Sequence, residues 1–395
     1  VRSDGRAWHR RSDESRRARG PAVVALVLAL AVVLAIGGPG RAEDVYRQLG
    51  LLTEVLKDIT TQYVDEVSES QLIRDALVGL LGALPGDNEL LEPPAGPAVD
   101  HGEADVGLVI SRRHGTLTVV AALDGSPARR AGLAAGDRLL KIDGLDTTLM
   151  GRAEAAGRLR GEAGTTVTVT VLRAGQGAPV DLRLTRERPA GPAVVTRALD
   201  DGVTYLRVRR FTPATSAELA PALTARPGRG LVLDLRDVPD GSVRDAVDLA
   251  RWFLPPGRLV ASRRGRHPDA AREFRTPAGG APLDVPLAVL VNGGSAAAAE
   301  IVAGALQDWH RAVVVGTRTF GEADDESIVT LPDGARLRLT TARWATPSGA
   351  VIDGRGITPD VEVAAGDGGD VQLQRALEVL RIGRVLTTWR FRDSS

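Results

Sequence analysis

At 395 residues the chain is too long for one ordinary domain and suits two or three folded units plus tails. Fifty basic residues balance fifty acidic ones, so no overall field draws nucleic acid or acidic substrates, and the lack of cysteine removes disulfides, thiolate metal sites and a Cys nucleophile. Nearly all the basic charge is arginine; the lysines are Lys57 and Lys141.

Residues 1–42 read as a targeting segment. Arg2, Arg6, Arg10, Arg11, Arg16, Arg17 and Arg19 precede an unbroken apolar run from Ala22 to Ile36. A basic tail before such a run predicts a cytoplasmic N-terminus and a single-pass anchor. The run reaches the roughly 17–25 residues of a spanning helix only when Pro21 and Gly37-Gly38 are counted. Gly40-Arg41-Ala42 before Glu43-Asp44 also suits a cleaved signal peptide. Either way the folded part is expected to be extracytoplasmic, at a bacterial cell membrane or secreted. Val1 fits a nonstandard bacterial start codon or a trimmed chain.

Residues 43–97 hold a helical pair and a linker. Leu49, Leu52, Val55, Leu56 and Ile59, then Leu72, Ile73, Leu77 and Leu80, recur at helical spacing, and Pro85-Gly86-Asp87-Asn88 stops the pattern. Glu92-Pro93-Pro94-Ala95-Gly96-Pro97 reads as extended chain. In 98–190 the pattern turns to short strands, at Leu117–Val120 and Thr166–Val171, around a helix from Arg152 to Leu159. Between them stand Gly125-Ser126-Pro127-Ala128, Ala131-Gly132-Leu133 and Gly136-Asp137-Arg138-Leu139-Leu140-Lys141-Ile142-Asp143-Gly144. This run resembles the PDZ signature. The resemblance implies capture of C-terminal peptides by strand addition, with Val106, Gly107 and Leu108 taking the terminal carboxylate. Arg112, Arg113 and His114 are expected in a solvated hairpin, and Lys141 on an exposed strand face.

Residues 191–365 alternate strand and helix: strands at Tyr205–Val208, Gly230–Leu235, Leu287–Val291 and Ala312–Val315, helices at Ser216–Ala225, Arg244–Phe253 and Ala296–Gln307. This predicts an α/β layer around a mostly parallel sheet. Residues 366–395 read as a helix from Asp370 to Leu380 and a tail. The stretches Gly230–Arg236, Val291–Ala296, Glu300–Asp308, Thr319-Phe320-Gly321, Thr340–Arg343, Thr346–Gly349 and Gly356–Asp360, with Tyr63–Val67 upstream, resemble carboxyl-terminal processing, or tail-specific, proteases in the same order. The expected fold is therefore multidomain α+β and α/β: a membrane helix, a helical pair, a PDZ domain and a protease-like domain of that type.

In that family a serine attacks the peptide carbonyl while a neutral lysine takes its proton. The resemblance puts the nucleophile three residues before Glu300, which is Ala297. It puts the lysine after Phe320-Gly321, which is Glu322, and the orienting glutamine at Glu326. The oxyanion turn falls on Val238-Pro239-Asp240-Gly241, where Asp240 opposes a developing negative charge. Ser295 is a residual serine at a position that is noncatalytic in the family. Lys57 belongs to the helical pair and Lys141 to the PDZ unit, and arginine stays protonated, so no general base of this kind is left. Asp308 and His310 are too close along the chain to face each other as a triad pair. His101, His114, His267 and His310 read as surface residues. Glu322, Asp324, Asp325 and Glu326, with Asp240 and Asp308 near them if the family fold holds, read as a solvated acidic turn. Calcium binding there is the weaker alternative. No cofactor or metal is expected. The reading is a pseudoprotease binding C-terminal tails of exported proteins. An active serine-type endopeptidase with a displaced nucleophile and a regulatory subunit of an active paralogue are the alternatives.

Overall fold

The computed structural model describes residues 39–91 and 104–390, apart from 114, 174, 190, 214, 226–227, 333 and 367–368. The expected anchor at 22–36, the linker at 92–97, His101 and His114 lie outside the described residues. Among the described residues no helix is long and apolar enough to cross a membrane.

Two units are distinguished, one ending at Ala76 and one running from Leu77 onward. The first contains α1 (Pro39–Gln62) and the start of α2 (Glu69–Gly82), the expected helical pair. Gly40-Arg41-Ala42 falls inside α1.

The second unit holds three sheets. After β1 (Glu89–Leu91) come β2 (Leu108–Arg113), β3 (Thr116–Ala122), α3 (Pro127–Arg130), β4 (Arg138–Ile142), β5 (Leu145–Asp146), α4 (Arg152–Leu159), β6 (Thr166–Leu172) and β7 (Val180–Thr185). An antiparallel sheet in the order β2-β3-β4-β6-β7, with β5 on β4, carries the PDZ signature. In β6, Val167, Val169 and Val171 face the core while the threonines between them do not, the alternation of a sheet buried on one face. Ser126 caps α3 through Arg129 N (3.1 Å), with Pro127 at the first position, so Ser-Pro-Ala starts the helical turn as expected.

The next elements are β8 (Val194–Ala198), β9 (Val203–Val208), α5 (Thr215–Thr224), β10 (Gly230–Asp234), α6 (Val243–Ala250), β11 (Leu259–Gly265), β12 (Arg272–Arg275), β13 (Leu287–Val291), α7 (Ala298–Asp308), β14 (Val313–Gly316), β15 (Asp324–Thr330), β16 (Arg336–Ala345), β17 (Val361–Glu362) and α8 (Val371–Arg390). The central sheet runs β17-β14-β13-β10-β9-β8, parallel except for β8. Its middle strands are buried on both faces. Leu231 and Leu233 of β10 pack in one core with α6 and α7, and Val232 packs on the other side with Leu373, Ala376 and Leu380 of α8. A second, antiparallel sheet runs β1-β16-β11-β12, with β15 on β16. Sequence reasoning missed it. Glu89 and Leu90, read as chain after a stop signal, pair with Arg338 and Leu337, and the supposed acidic turn is largely a strand.

Candidate functional site

β13 leads through Asn292-Gly293-Gly294-Ser295-Ala296 into α7, whose first nine residues, Ala298 to Leu306, are all buried. Ala297 sits between strand and helix at φ 49°, ψ −117°. An L-residue is strained in that region by about 1–3 kcal/mol. The conformation is held from outside: Ala296 N donates to Val238 O (2.9 Å) and Ala297 N to Glu322 O (3.0 Å). The helix thus starts two residues later than its alanine-rich sequence suggests. The Ala297 methyl is half-buried, with fully buried neighbours on either side.

Ser295 points elsewhere. It is 0% exposed; its hydroxyl donates to Leu235 O (2.8 Å) and accepts from Asn292 N (3.0 Å). Asn292 in turn exchanges hydrogen bonds with Asp237, accepting from Asp237 N and donating to Asp237 Oδ1, each 2.9 Å. Ser295 and Asn292 therefore brace the crossing between strand and helix.

One turn into α7, Glu300 faces the segment Thr319–Glu322. Its carboxylate accepts from the Thr319 hydroxyl, Gly321 N (2.6 Å) and Glu322 N (2.9 Å). Burial pushes its pKa up to about 7, against the pull of those donors. Glu300 thereby holds the loop on which the resemblance places the lysine. Sequence reasoning gave it no role, although an ionisable residue amid Ala, Ile and Val was the available signal.

At that position Glu322 is buried rather than solvated, and its pKa is pushed up to about 8 by desolvation. It takes a hydrogen bond from Ser111 of β2, and its Oε2 has no partner. The neighbouring charges come from distant segments. Arg152 of α4 pairs with Asp87 and, at 3.2 Å, with Glu326. Arg338 of β16 pairs with Glu89 (3.0 Å) and Glu326 (3.3 Å). Burial raises Asp87, and raises Glu326 to about 6. Asp324 accepts from the Thr340 hydroxyl (2.9 Å), and Asp325 pairs with Arg263 (2.7 Å). The solvated acidic turn is thus corrected: Asp325 and Glu326 pair with arginines of the same sheet and of α4, Asp324 is held by Thr340, and Glu322 by Ser111. Asp308 is engaged with Ser348 N (2.7 Å) at the far end of α7, and Asp240 with Phe211 N (3.4 Å), so neither joins them. Among the described residues no group of three or more His, Cys, Asp or Glu side chains could hold a metal ion.

The turn Val238-Pro239-Asp240-Gly241 lies against the elbow. Gly241 has φ 106°, and a Cβ there would fall 2.5 Å from the Phe211 ring and 2.7 Å from the Ala298 methyl, so no larger residue fits. Burial raises the pKa of Asp240. His310 has φ 51° and is exposed, as is His267.

On the PDZ side β2 is an edge strand beside α4. Val106 is fully buried, and its carbonyl accepts from Ala128 N (2.9 Å). Gly107 has φ 66° and lies so close to Ser126 that a Cβ would sit 2.2 Å from that residue's Cβ; its amide donates to Asp105 Oδ1 (2.6 Å). Gly107 O accepts from Leu123 N on the β3 side (2.8 Å), and strand alternation turns the main-chain groups of Leu108 to the open edge. Lys141 is exposed. The expectation of a solvated hairpin fails for Arg112 and Arg113, which are half-buried. Arg112 binds the carbonyls of Gly115, Thr148 and Met150, and Arg113 those of Phe320 (2.7 Å) and Gly321 (2.6 Å). With Arg129 to Asp237 (3.0 Å) and Arg207 to Asp124 (2.7 Å), these contacts fix the PDZ sheet against the elbow and the loop that follows it.

A PDZ sheet with a free edge, fixed against a parallel layer whose site helix leaves a strained elbow, defines the class of PDZ-containing proteins of serine-peptidase fold. Residues 202–363 match peptidase family S41 and residues 118–173 match the PDZ domain. The carboxy-terminal-processing protease of Bartonella bacilliformis is 36% identical over 334 residues, 81% of this chain and 76% of that one. The carboxyl-terminal-processing protease of a Synechocystis species is 39% identical over 70% of this chain and 68% of its own. The solved photosystem II D1 C-terminal processing protease is 29% identical with a TM-score of 0.67, covering 78% of this chain and 85% of that one. The chain belongs to the carboxyl-terminal processing protease family, with the S41 fold and a PDZ domain.

Proposed function

We propose that this protein is a noncatalytic member of its family. Its PDZ edge holds C-terminal tails of exported proteins at Val106, Gly107 and Leu108, and its protease-like domain serves as a scaffold or as a regulatory partner of an active paralogue. One observation carries the reading: the elbow that aims the nucleophile in this family presents the methyl group of Ala297. The lysine position supports it, because Glu322 is a buried carboxyl group where a neutral amine would be needed, and Ser295 is hydrogen-bonded away from the surface. A second reading, a working endopeptidase, draws on the relatives' names as proteases. Incubating the full chain with an unstructured protein separates the two. No cleavage is expected; cleavage that Ser295→Ala abolishes would sink the noncatalytic reading. Co-purification from membranes of a chain with the missing Ser and Lys is the expected sign of the paralogue role. We place the folded part outside the cytoplasm, tethered through 22–36 or released after cleavage. Recovery of the intact chain in the cytosol would count against that.

A further inference from the structure

None of residues 46–62 in α1 is buried, and no residue of α2 is. Tyr46, Leu49, Leu52 and Val55 of α1 are 41–50% exposed, and Ile73, Leu77 and Leu80 of α2 are exposed as well, so the helical pair does not close on itself. A helix of 24 residues, about 36 Å long at 1.5 Å per residue, keeps its shape in water chiefly by packing an apolar face. The face of α1 has a definite period. Leu49, Leu52, Leu56 and Ile59 stand three, four and three residues apart, the spacing of the a and d positions that form the seam of a coiled coil. The residues beside that seam, Tyr46, Gln48, Thr53, Val55, Thr60 and Gln62, are all uncharged. These are the e and g positions, where like charges would keep two identical helices apart. Arg47, Glu54, Lys57 and Asp58 occupy the outer positions of the repeat. The flanking polar groups are satisfied within the helix: the Thr53 hydroxyl donates to Leu49 O (2.9 Å), the Thr60 hydroxyl to Leu56 O (3.0 Å) and the Gln62 amide to Asp58 Oδ1 (3.0 Å). Covering the two threonines therefore strands no donor.

We propose that α1 is the docking surface for a second copy of this chain, the two helices pairing in parallel through Leu49, Leu52, Leu56 and Ile59. The pattern selects the occupant. A seam with uncharged flanks accepts an identical helix without repulsion, and in parallel register each seam residue meets its own counterpart. The parallel direction rests on the proposed tether, because residues 22–36 precede α1 and would hold both copies on one face of a membrane.

The lack of cysteine makes disulfide scanning clean. Single cysteines are placed in the full chain, in nonionic detergent, at the seam (Leu49→Cys, Leu52→Cys, Leu56→Cys or Ile59→Cys) and at an outer position (Glu54→Cys). Mild oxidation with copper phenanthroline is followed by gel electrophoresis. Each seam variant is expected to give about tenfold more disulfide-linked dimer than Glu54→Cys, since only seam residues come within bridging distance of their counterparts. Leu52→Glu added to Leu56→Cys is expected to remove that dimer while leaving the urea unfolding of the PDZ and protease-like unit as in the parent. Equal cross-linking at Glu54→Cys and the seam, or none at any position, would overturn the proposal and leave the face to the chain's own second unit or to another protein. Dimers formed only when Leu52→Cys and Leu56→Cys chains are mixed would overturn the parallel pairing, and the tether argument with it, because an antiparallel seam sets those two positions against each other.

Discussion

Two buried carboxylates in the second unit meet opposite fates. Asp234, at the end of β10, is 0% exposed and accepts from the Tyr205 hydroxyl (2.7 Å) and Arg236 Nη2 (2.6 Å), with Arg207 Nη1 at 3.0 Å. Burial alone would raise its pKa, but the Arg236 hydrogen bonds and the Arg207 charge hold it below the usual carboxylate range. Glu322 is half-buried with its Oε2 shut off from solvent, and the cation that acts on it, Arg152, is already engaged with Asp87 and Glu326. Burial therefore wins, and the group keeps its proton to about pH 8. Depth does not decide the charge of a buried acid; the supply of cations not already shared does.

Breaking the compensated side should cost most. Asp234→Ala leaves Arg207 and Arg236 buried without their shared acid, and about 3–5 kcal/mol of stability is expected to be lost in urea unfolding at pH 7. A loss below 1 kcal/mol would show that Asp370, which also pairs with Arg236 (2.8 Å), can replace it.

The undercompensated side is sharpened by pH. The unfolded chain releases the Glu322 proton near the ordinary 4.5, whereas the folded protein holds it to about 8. The folded state then binds more protons, so this contribution is full below about pH 4.5 and is lost as pH rises to about 8. Glu300, at about 7, and Glu326, at about 6, add in the same direction over narrower windows. Asp234, depressed instead, loses its contribution as pH falls below the ordinary 3.8. Glu322→Gln is expected to leave stability at pH 5 unchanged and to raise it at pH 8 by on the order of 2 kcal/mol. Chemical denaturation at the two pH values reads this directly, and equal effects at both would contradict it.

The smallest expected effect is at the elbow. Ala297→Gly removes the Cβ from a conformation at φ 49°, ψ −117°, and stability is expected to rise by about 1 kcal/mol. A lower melting temperature in that variant would mean that the conformation is less strained than its angles imply.

The sequence made the parallel core legible because β10 and β13 are continuous apolar runs bounded by turn signals, a pattern that burial on both faces produces. It hid the second sheet. Asp324-Asp325-Glu326 has the composition of a solvated turn, and its partners Arg152, Arg263 and Arg338 are scattered over some 190 positions. Arg336 to Leu339 alternates charged and apolar residues, a strand signal that sequence reasoning passed over, and Thr340-Thr341 then interrupts it. The residues at the nucleophile and lysine positions were readable through the family resemblance. The grip of Glu300 on Thr319–Glu322, the reach of Ser111 to Glu322 and the burial of Arg113 depend on chain folding that no local pattern encodes. The start of α7 was misjudged for the same reason, since alanine is the best helix former and only contacts with Val238 and Glu322 take Ala297 out of the helix.

Those contacts have a consequence for what positions 297 and 322 could carry. They are made by backbone groups, so the elbow is inherited by whatever side chain stands at 297, and serine there would add one oxygen atom in a direction already set. Position 322 has no such independence. A lysine would replace a carboxyl group that keeps its proton to about pH 8 with a base set among Arg152, Asp87 and Asp324, and so would change the charge balance of that cluster. Position 297 is one oxygen atom from a serine held in that geometry, while position 322 is tied to its charged neighbours and would have to change with them.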